Sequence, residues 1–168
     1  LKKDELESFY AIMLATGKGK GFRVRKSAYY ENMYDLFSKN NEIKYLVTRL
    51  DLNRYISLLN EEIDENIKKK EALSDSRCND GKRKSYDETI NSLRKKVDIA
   101  KQQKKEKGIS IITLAGAMFM MTDPEIVYLS SGNYEKYLMY NSQYLIQWEM
   151  IKYAIKHGYK GYNFYGTP

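Results

Sequence analysis

A chain of 168 residues, 42% hydrophobic and 30% charged, is long enough for one ordinary core, and no stretch of it approaches the ~20 consecutive apolar residues of a membrane-spanning helix. Twenty-nine Lys and Arg against 22 Asp and Glu leave a formal charge of +7, which favours an anionic partner (nucleic acid, a phosphorylated substrate or an anionic leaflet), although the interleaved acids leave an ordinary solvated surface as the other reading. One cysteine, Cys78, and one distant histidine, His157, exclude an internal disulfide, a Cys–His nucleophile pair and any metal site with recognisable ligand spacing.

Residues 4–14 carry Leu6, Phe9, Tyr10, Met13 and Leu14 at helical spacing, and Gly17-Lys18-Gly19-Lys20-Gly21 is expected to break that helix. This basic glycine loop is no P-loop, because no strand feeds it and no Gly-Lys-Ser/Thr ends it. Arg23, Arg25 and Lys26 follow, just ahead of a helix start, where guanidinium groups are placed to hold a phosphate; a solvated basic loop explains the same spacing. Ser27 is the expected cap of a helix to about Ser38, with Tyr30, Met33, Tyr34 and Phe37 on one side. Asn40-Asn41 turns the chain, and Ile43 to Leu50 reads as a strand.

From Leu52 to Lys107 the period becomes that of a coiled coil. Leu52, Ile56, Leu59, Ile63, Asn66, Lys70 and Leu73 step by four and three, and Tyr86, Ile90, Leu93, Val97, Ala100 and Lys104 repeat the pattern after a reversing loop, Ser74 to Lys84. Each helix of ~24 residues is about 36 Å long. Polar Asn66 and Lys70 weaken the seam, which predicts a mobile arm. Residues 53–107 hold 15 basic and 11 acidic side chains, so the arm is not overwhelmingly basic. Placed inside the chain, it must leave and return to one core, unlike a terminal oligomerisation coil.

After Gly108 the pattern turns extended. Ile109 to Met121 reads as a buried strand with a bulge or close contact at Gly116. Asp123-Pro124 turns into an antiparallel partner, Glu125 to Ser131, which Gly132 ends. Asn133 caps a long helix bearing Tyr137, Tyr144, Trp148, Ile151 and Ile155, closed by Gly158, and Tyr162 to Tyr165 is a last strand. The aromatic stripe Tyr137, Tyr144 and Trp148 reads as core, with hydroxyls at a rim. Tyr128 and Tyr165, near strand ends where open sheets place ligands, are the candidates for a polar role. The order strand, strand, helix, strand predicts an α+β fold: an acetyltransferase-like (GNAT-type) mixed sheet with flanking helices over 1–51 and 108–168, and an inserted antiparallel coiled-coil hairpin over 52–107. Coenzyme A is not expected as donor, because the turn Ser130-Ser131-Gly132-Asn133-Tyr134 has one glycine and no Arg or Gln pattern to cradle a pyrophosphate.

Four blocks carry a likeness. Leu114-Ala115-Gly116-Ala117-Met118-Phe119, Glu125-Ile126-Val127-Tyr128-Leu129-Ser130-Ser131-Gly132, Tyr144-Leu145-Ile146-Gln147-Trp148-Glu149-Met150-Ile151 and Tyr162-Asn163-Phe164-Tyr165-Gly166, in this order, resemble the FemA/FemB/MurM family; Lys20-Gly21-Phe22 through Arg25 and Tyr29-Tyr30 resemble the start of the family's second domain. The resemblance implies a transferase moving an amino acid from aminoacyl-tRNA to the side-chain amine of the stem peptide in a lipid-linked peptidoglycan precursor. It implies no cofactor and no metal, with aminoacyl-tRNA as donor substrate and a cytoplasmic protein peripheral to the inner membrane face. It further implies that Arg25 lies near the precursor's phosphates, that Tyr128 contacts substrate, and that the hairpin is an insertion placed to touch tRNA. A reactive lysine beyond Gly166 and a first domain are expected in a longer protein, of which this chain is most of the second domain. The competing class is a non-catalytic coiled-coil module binding nucleic acid or a partner protein; a small-molecule acetyltransferase is a third.

Overall fold

The computed structural model describes residues 2–74 and 77–165, so Gly166 of the last motif and positions 75 and 76 of the hairpin turn lie outside the described residues. The elements run α1 (Leu6–Lys20), α2 (Ser27–Phe37), β1 (Ile43–Asp51), α3 (Leu52–Glu71), α4 (Asp80–Lys107), β2 (Ile111–Thr122), β3 (Glu125–Asn133), α5 (Ser142–Lys156) and β4 (Gly161–Asn163). The chain divides into two compact units, one formed by the residues up to Arg49 together with those from Thr113 onward, the other by Leu50–Ile112.

In the first unit the sheet order is β1-β2-β3-β4. β2 and β3 are antiparallel, whereas β3 and β4 are parallel, which makes the sheet mixed and the fold α+β. Along β2 the side chains alternate. Ala115, Ala117, Phe119 and Met121 pack under Ile146, Met150 and Ala154 of α5, while Met118 packs with Leu6, Phe9 and Met13 of α1, Tyr30 of α2, and Ile43 and Tyr45 of β1. A strand covered on both faces needs an unbroken apolar sequence, which is what 114–121 supplies.

Two glycines set how closely α1 lies on the sheet. Gly116 and Gly132 are register partners. A Cβ on Gly116 would meet Phe9 and Ile12 at 3.0 and 3.1 Å; one on Gly132 would meet the Thr16 hydroxyl at 2.4 Å. Gly116 thus marks a close approach, and the register irregularity falls two residues on, between Met118 and Phe119, where Leu129 is the unopposed residue. Gly132 does not end β3. It stays paired in the strand because only a bare backbone fits beneath α1. Thr16 fastens the contact, its hydroxyl accepting from the Asn133 N–H at 2.9 Å and donating to the Ile12 carbonyl at 2.9 Å.

Other expectations fail for local reasons. The glycines at 17 and 19 do not break α1, which runs to Lys20 and stops at Gly21 with φ 72°. Helical glycine costs only about 1 kcal/mol, and here Gly17 must be bare, since its Cβ would lie 2.3 Å from Val24 and 2.9 Å from the Phe22 carbonyl. Ser27 is the first residue of α2, preceded by Lys26 at the cap position with no side-chain cap bond. Asn133 caps nothing, because it is still paired with Ala115 and the next N–H, of Tyr134, donates to the Leu114 carbonyl at 3.1 Å. A 3-10 turn, Glu135–Tyr140, and Asn141 at φ 51° then precede α5, so the long helix is two pieces. Of the aromatic stripe only Tyr137 is core. Tyr144 is 76% and Trp148 54% exposed, because α5 turns the neighbouring stripe Ile146, Met150, Ala154 onto the small alanines of β2. Helical period identifies a stripe but cannot choose between two apolar ones.

The second unit is a hairpin of α3 and α4. Leu59, Ile63, Ile90, Leu93 and Val97 form its core, with Tyr55, Ile56 and Ile67 against it. Asp51 caps α3, accepting from the N–H groups of Asn53 and Arg54 at 2.9 and 3.2 Å. The helices have 20 and 28 residues rather than ~24 each, because α4 starts at Asp80, inside the expected reversing loop. At the polar seam positions Lys70 pairs with Asp87 across the helices at 2.6 Å and Asn66 donates to the Glu62 carbonyl at 2.7 Å. Lys104, expected in the seam, is exposed.

Candidate functional site

Between β3, β4 and α5 the first unit holds a chain of polar side chains. Gln143 and Gln147, one turn apart on α5, face the sheet. The Gln143 amide donates to the Gly132 carbonyl at 2.7 Å, which leaves its Oε1 to accept the Tyr128 hydroxyl at 3.2 Å. The Gln147 Oε1 accepts the Tyr162 hydroxyl, which leaves the Gln147 amide N–H as the end available to the Tyr128 oxygen. Proton direction is thereby fixed from β4 through α5 to the β3 backbone. The rings of Tyr128 and Tyr162 flank Phe119 at 5.3 and 6.4 Å.

Both phenols are held protonated. Burial raises the Tyr128 pKa above its ordinary value, against the opposite pull of hydrogen bonds from Ser131 and Gln147. Burial also raises Tyr162 strongly, helped by the neighbouring Tyr128. A half-buried neutral phenol whose proton is committed to Gln143 and whose oxygen accepts from Ser131 and Gln147 presents an oriented dipole rather than a ready acid.

Tyr128 was expected near a strand end; it lies inside β3 opposite Phe119, at the register irregularity, a place where strands re-aim side chains. Tyr165 lies two residues past β4 with φ 30°, 62% exposed, its N–H donating to Asn163 Oδ1 at 2.9 Å. Arg25 is exposed in the connection before α2, its guanidinium 5.8 Å from the Tyr29 ring centre. Tyr29 in turn meets Tyr30, edge to face at 5.2 Å, in the α1–α2 layer. The structure thus ties Arg25 to the α1–α2 layer and Tyr128 to the α5 layer; no direct contact joins them. The segment Ser130 to Asn133, expected as a turn, is strand. Among the described residues no group of three or more His, Cys, Asp and Glu is placed to hold a metal ion.

Sequence reasoning assigned no role to Gln143, Gln147 or Tyr162. Their signal was available: two amides four residues apart on a helix, followed by a strand tyrosine, are a pattern that fits a buried amide–phenol relay. Amides carry no charge, so neither composition nor charge patterning points to them.

The family model described as the FemAB family matches residues 1–168. Aminoacyltransferase FemA of Staphylococcus epidermidis is 28% identical over 171 residues, covering 99% of this chain and 41% of the relative. Aminoacyltransferase FemA of Staphylococcus aureus is 27% identical over 172 residues with the same coverage of 99% and 41%. The chain therefore spans less than half the length of these curated relatives. Among solved structures, the crystal structure of FemX superposes with a TM-score of 0.71 at 25% identity, over 99% of this chain and 43% of that one. With the family model matched from first residue to last, the chain belongs to the FemAB family.

Proposed function

We propose that the protein carrying this chain transfers an amino acid from aminoacyl-tRNA to the side-chain amine of the stem peptide in a lipid-linked peptidoglycan precursor, building the interpeptide bridge. The observation that carries this reading is the match to FemAB over residues 1–168, with relatives named as aminoacyltransferases. In support, β2, β3, α5 and β4 form an antiparallel pair, a crossing helix and a parallel strand, as an acetyltransferase-like sheet requires. The heptad core of α3 and α4 supports reading the hairpin as a coiled-coil insertion.

In the reaction the neutral amine attacks the ester carbonyl; the new C–N bond forms, the ester C–O bond to the tRNA ribose breaks, and the amine's proton goes to the leaving ribose oxygen. Much of that proton movement belongs to the substrates, and the protein positions them. Arg25, which has no carboxylate partner among the described residues, takes the precursor's phosphates. Tyr128, its hydroxyl held by Gln143, contacts substrate, and Tyr165 stands at the exposed end beyond β4. No cofactor enters this scheme. The donor tRNA is served by the exposed Lys82, Lys84, Arg94, Lys95 and Lys96 of α4, and the lipid-linked acceptor draws the protein to the cytoplasmic face of the membrane.

The test is mass spectrometry of the precursor after incubation with the intact protein and a panel of charged tRNAs. Addition of one aminoacyl mass from one tRNA supports the reading; no addition from any tRNA, with the protein folded and binding RNA, favours a coiled-coil binding module. Arg25→Ala is expected to raise KM for the precursor about tenfold with kcat little changed, the mark of a lost binding contact.

A further inference from the structure

At the root of the hairpin, within the second unit, α4 ends and the chain returns. Gly108 closes the helix at φ 64°, and the Leu52 N–H donates to the Ser110 carbonyl at 2.8 Å, so the root is pinned by backbone. Beside it lies an open groove of about 730 Å³, lined chiefly by Lys101, Lys104 and Lys105 on one side and by Ile56 and Ile109 on the other. Among the described residues no carboxylate lines it. Glu106, the acid of this turn, is engaged by the Gln102 amide at 2.9 Å. Ile109 is 51% and Ile111 54% exposed, whereas the next residue along the chain, Ile112, is 2% exposed.

The lysines alone have a simple explanation, since cations near a helix C-terminus are favoured by the helix dipole. That does not explain half-exposed Ile109 beside them, nor Ile111 two residues further along the chain. A nucleic-acid backbone would satisfy the ammonium groups and leave the isoleucines in water; a bilayer surface with anionic headgroups satisfies both at once.

We infer that the hairpin root is a membrane-docking face, in which Lys101, Lys104 and Lys105 meet anionic lipid headgroups while Ile109 and Ile111 enter the interface. It does not depend on the transfer reaction proposed above, and its test reads no transfer: failure of one leaves the other standing.

The experiment is co-sedimentation of the protein with vesicles of phosphatidylcholine alone and of phosphatidylcholine with phosphatidylglycerol, with binding to a single-stranded RNA measured in parallel. Binding is expected only to the anionic vesicles. Three ammonium groups near an anionic surface should matter greatly, so Lys101→Gln, Lys104→Gln and Lys105→Gln together are expected to weaken it about a hundredfold. Ile109→Asn with Ile111→Asn, which leaves the charge unchanged, is expected to weaken it about tenfold while RNA binding stays put. Both sets lie at exposed or groove positions, and an unchanged thermal transition confirms folding. Equal binding to neutral vesicles overturns the inference. So does an isoleucine pair that changes nothing while the lysine variant loses RNA binding, which assigns the groove to nucleic acid.

Discussion

The two units of this chain are held together by different logics. In the hairpin, every core residue recurs at a fixed step along its own helix, and the polar exceptions are satisfied locally or by one partner across the seam, as Asn66 and Lys70 are. In the sheet unit, neighbours come from distant parts of the sequence: Gly132 is bare because of Thr16, and Gln143 is oriented by Tyr128 and by the Gly132 carbonyl. A repeat tolerates substitution by similar residues; a site built by close approach does not.

Substitutions should therefore grade by how non-local the contact is. Gly132→Val should be the most damaging. Its Cβ would already overlap the Thr16 hydroxyl at 2.4 Å and Ile12 at 3.0 Å, so a loss of roughly 4 kcal/mol is expected by denaturant melting, with the fall in amide protection concentrated in α1, β2 and β3. A Gly132→Val protein as stable as the parent would show that α1 is not seated on the glycine pair. Leu93→Ala removes a side chain that is 4% exposed in the hairpin core and should cost about 3 kcal/mol, read as lost protection within α3 and α4. If hairpin and sheet amides lost protection equally, the contrast between the units would fail.

Gln143→Leu leaves the Tyr128 hydroxyl and the Gly132 carbonyl without their partner and should cost about 1–2 kcal/mol. It also bears on pH. Burial raises the pKa of Tyr128 and Tyr162 in the folded state, so below the ordinary tyrosine value of ~10 their contribution is constant; above it the unfolded chain loses protons first and stability declines as pH rises. Ultraviolet difference titration should show these phenols ionising after the exposed ones, and replacing Tyr128 and Tyr162 by Phe should remove late-titrating absorbance. Early ionisation of all tyrosines would contradict their burial. The smallest effect belongs to Lys70→Ala. Its ion pair with Asp87 is part-exposed on one side and half-exposed on the other, so about 0.5 kcal/mol or less is expected in the same melts.

Legibility in the sequence followed the same division. The heptad positions Leu59, Ile63, Ile90, Leu93 and Val97 were readable because burial in a two-helix seam depends only on the step along each helix. The strands β1, β2 and β3 were readable from apolar runs and turn residues, although β3 extends two residues further than Gly132 implied. The α5 face was misread because Tyr144, Trp148 and Ile155 form as good a stripe as Ile146, Met150 and Ala154, and only the alanines of β2 select between them. For the candidate site, Tyr128, Gln147 and Tyr162 all stand in blocks of the family likeness, but only Tyr128 carried a role there; Gln143, Gln147 and Tyr162 acquire theirs from standing opposite one another.

By itself, then, the sequence determined the kinds of elements, the helical hairpin between β1 and β2, and the FemAB likeness, because these rest on residue type and short-range spacing. The tertiary structure alone decided which apolar stripe of α5 is core, why Gly17, Gly116 and Gly132 must lack side chains, and how two amides orient two phenols. Those outcomes depend on what a residue meets across space, and a glycine or an amide carries no mark of its partner along the chain.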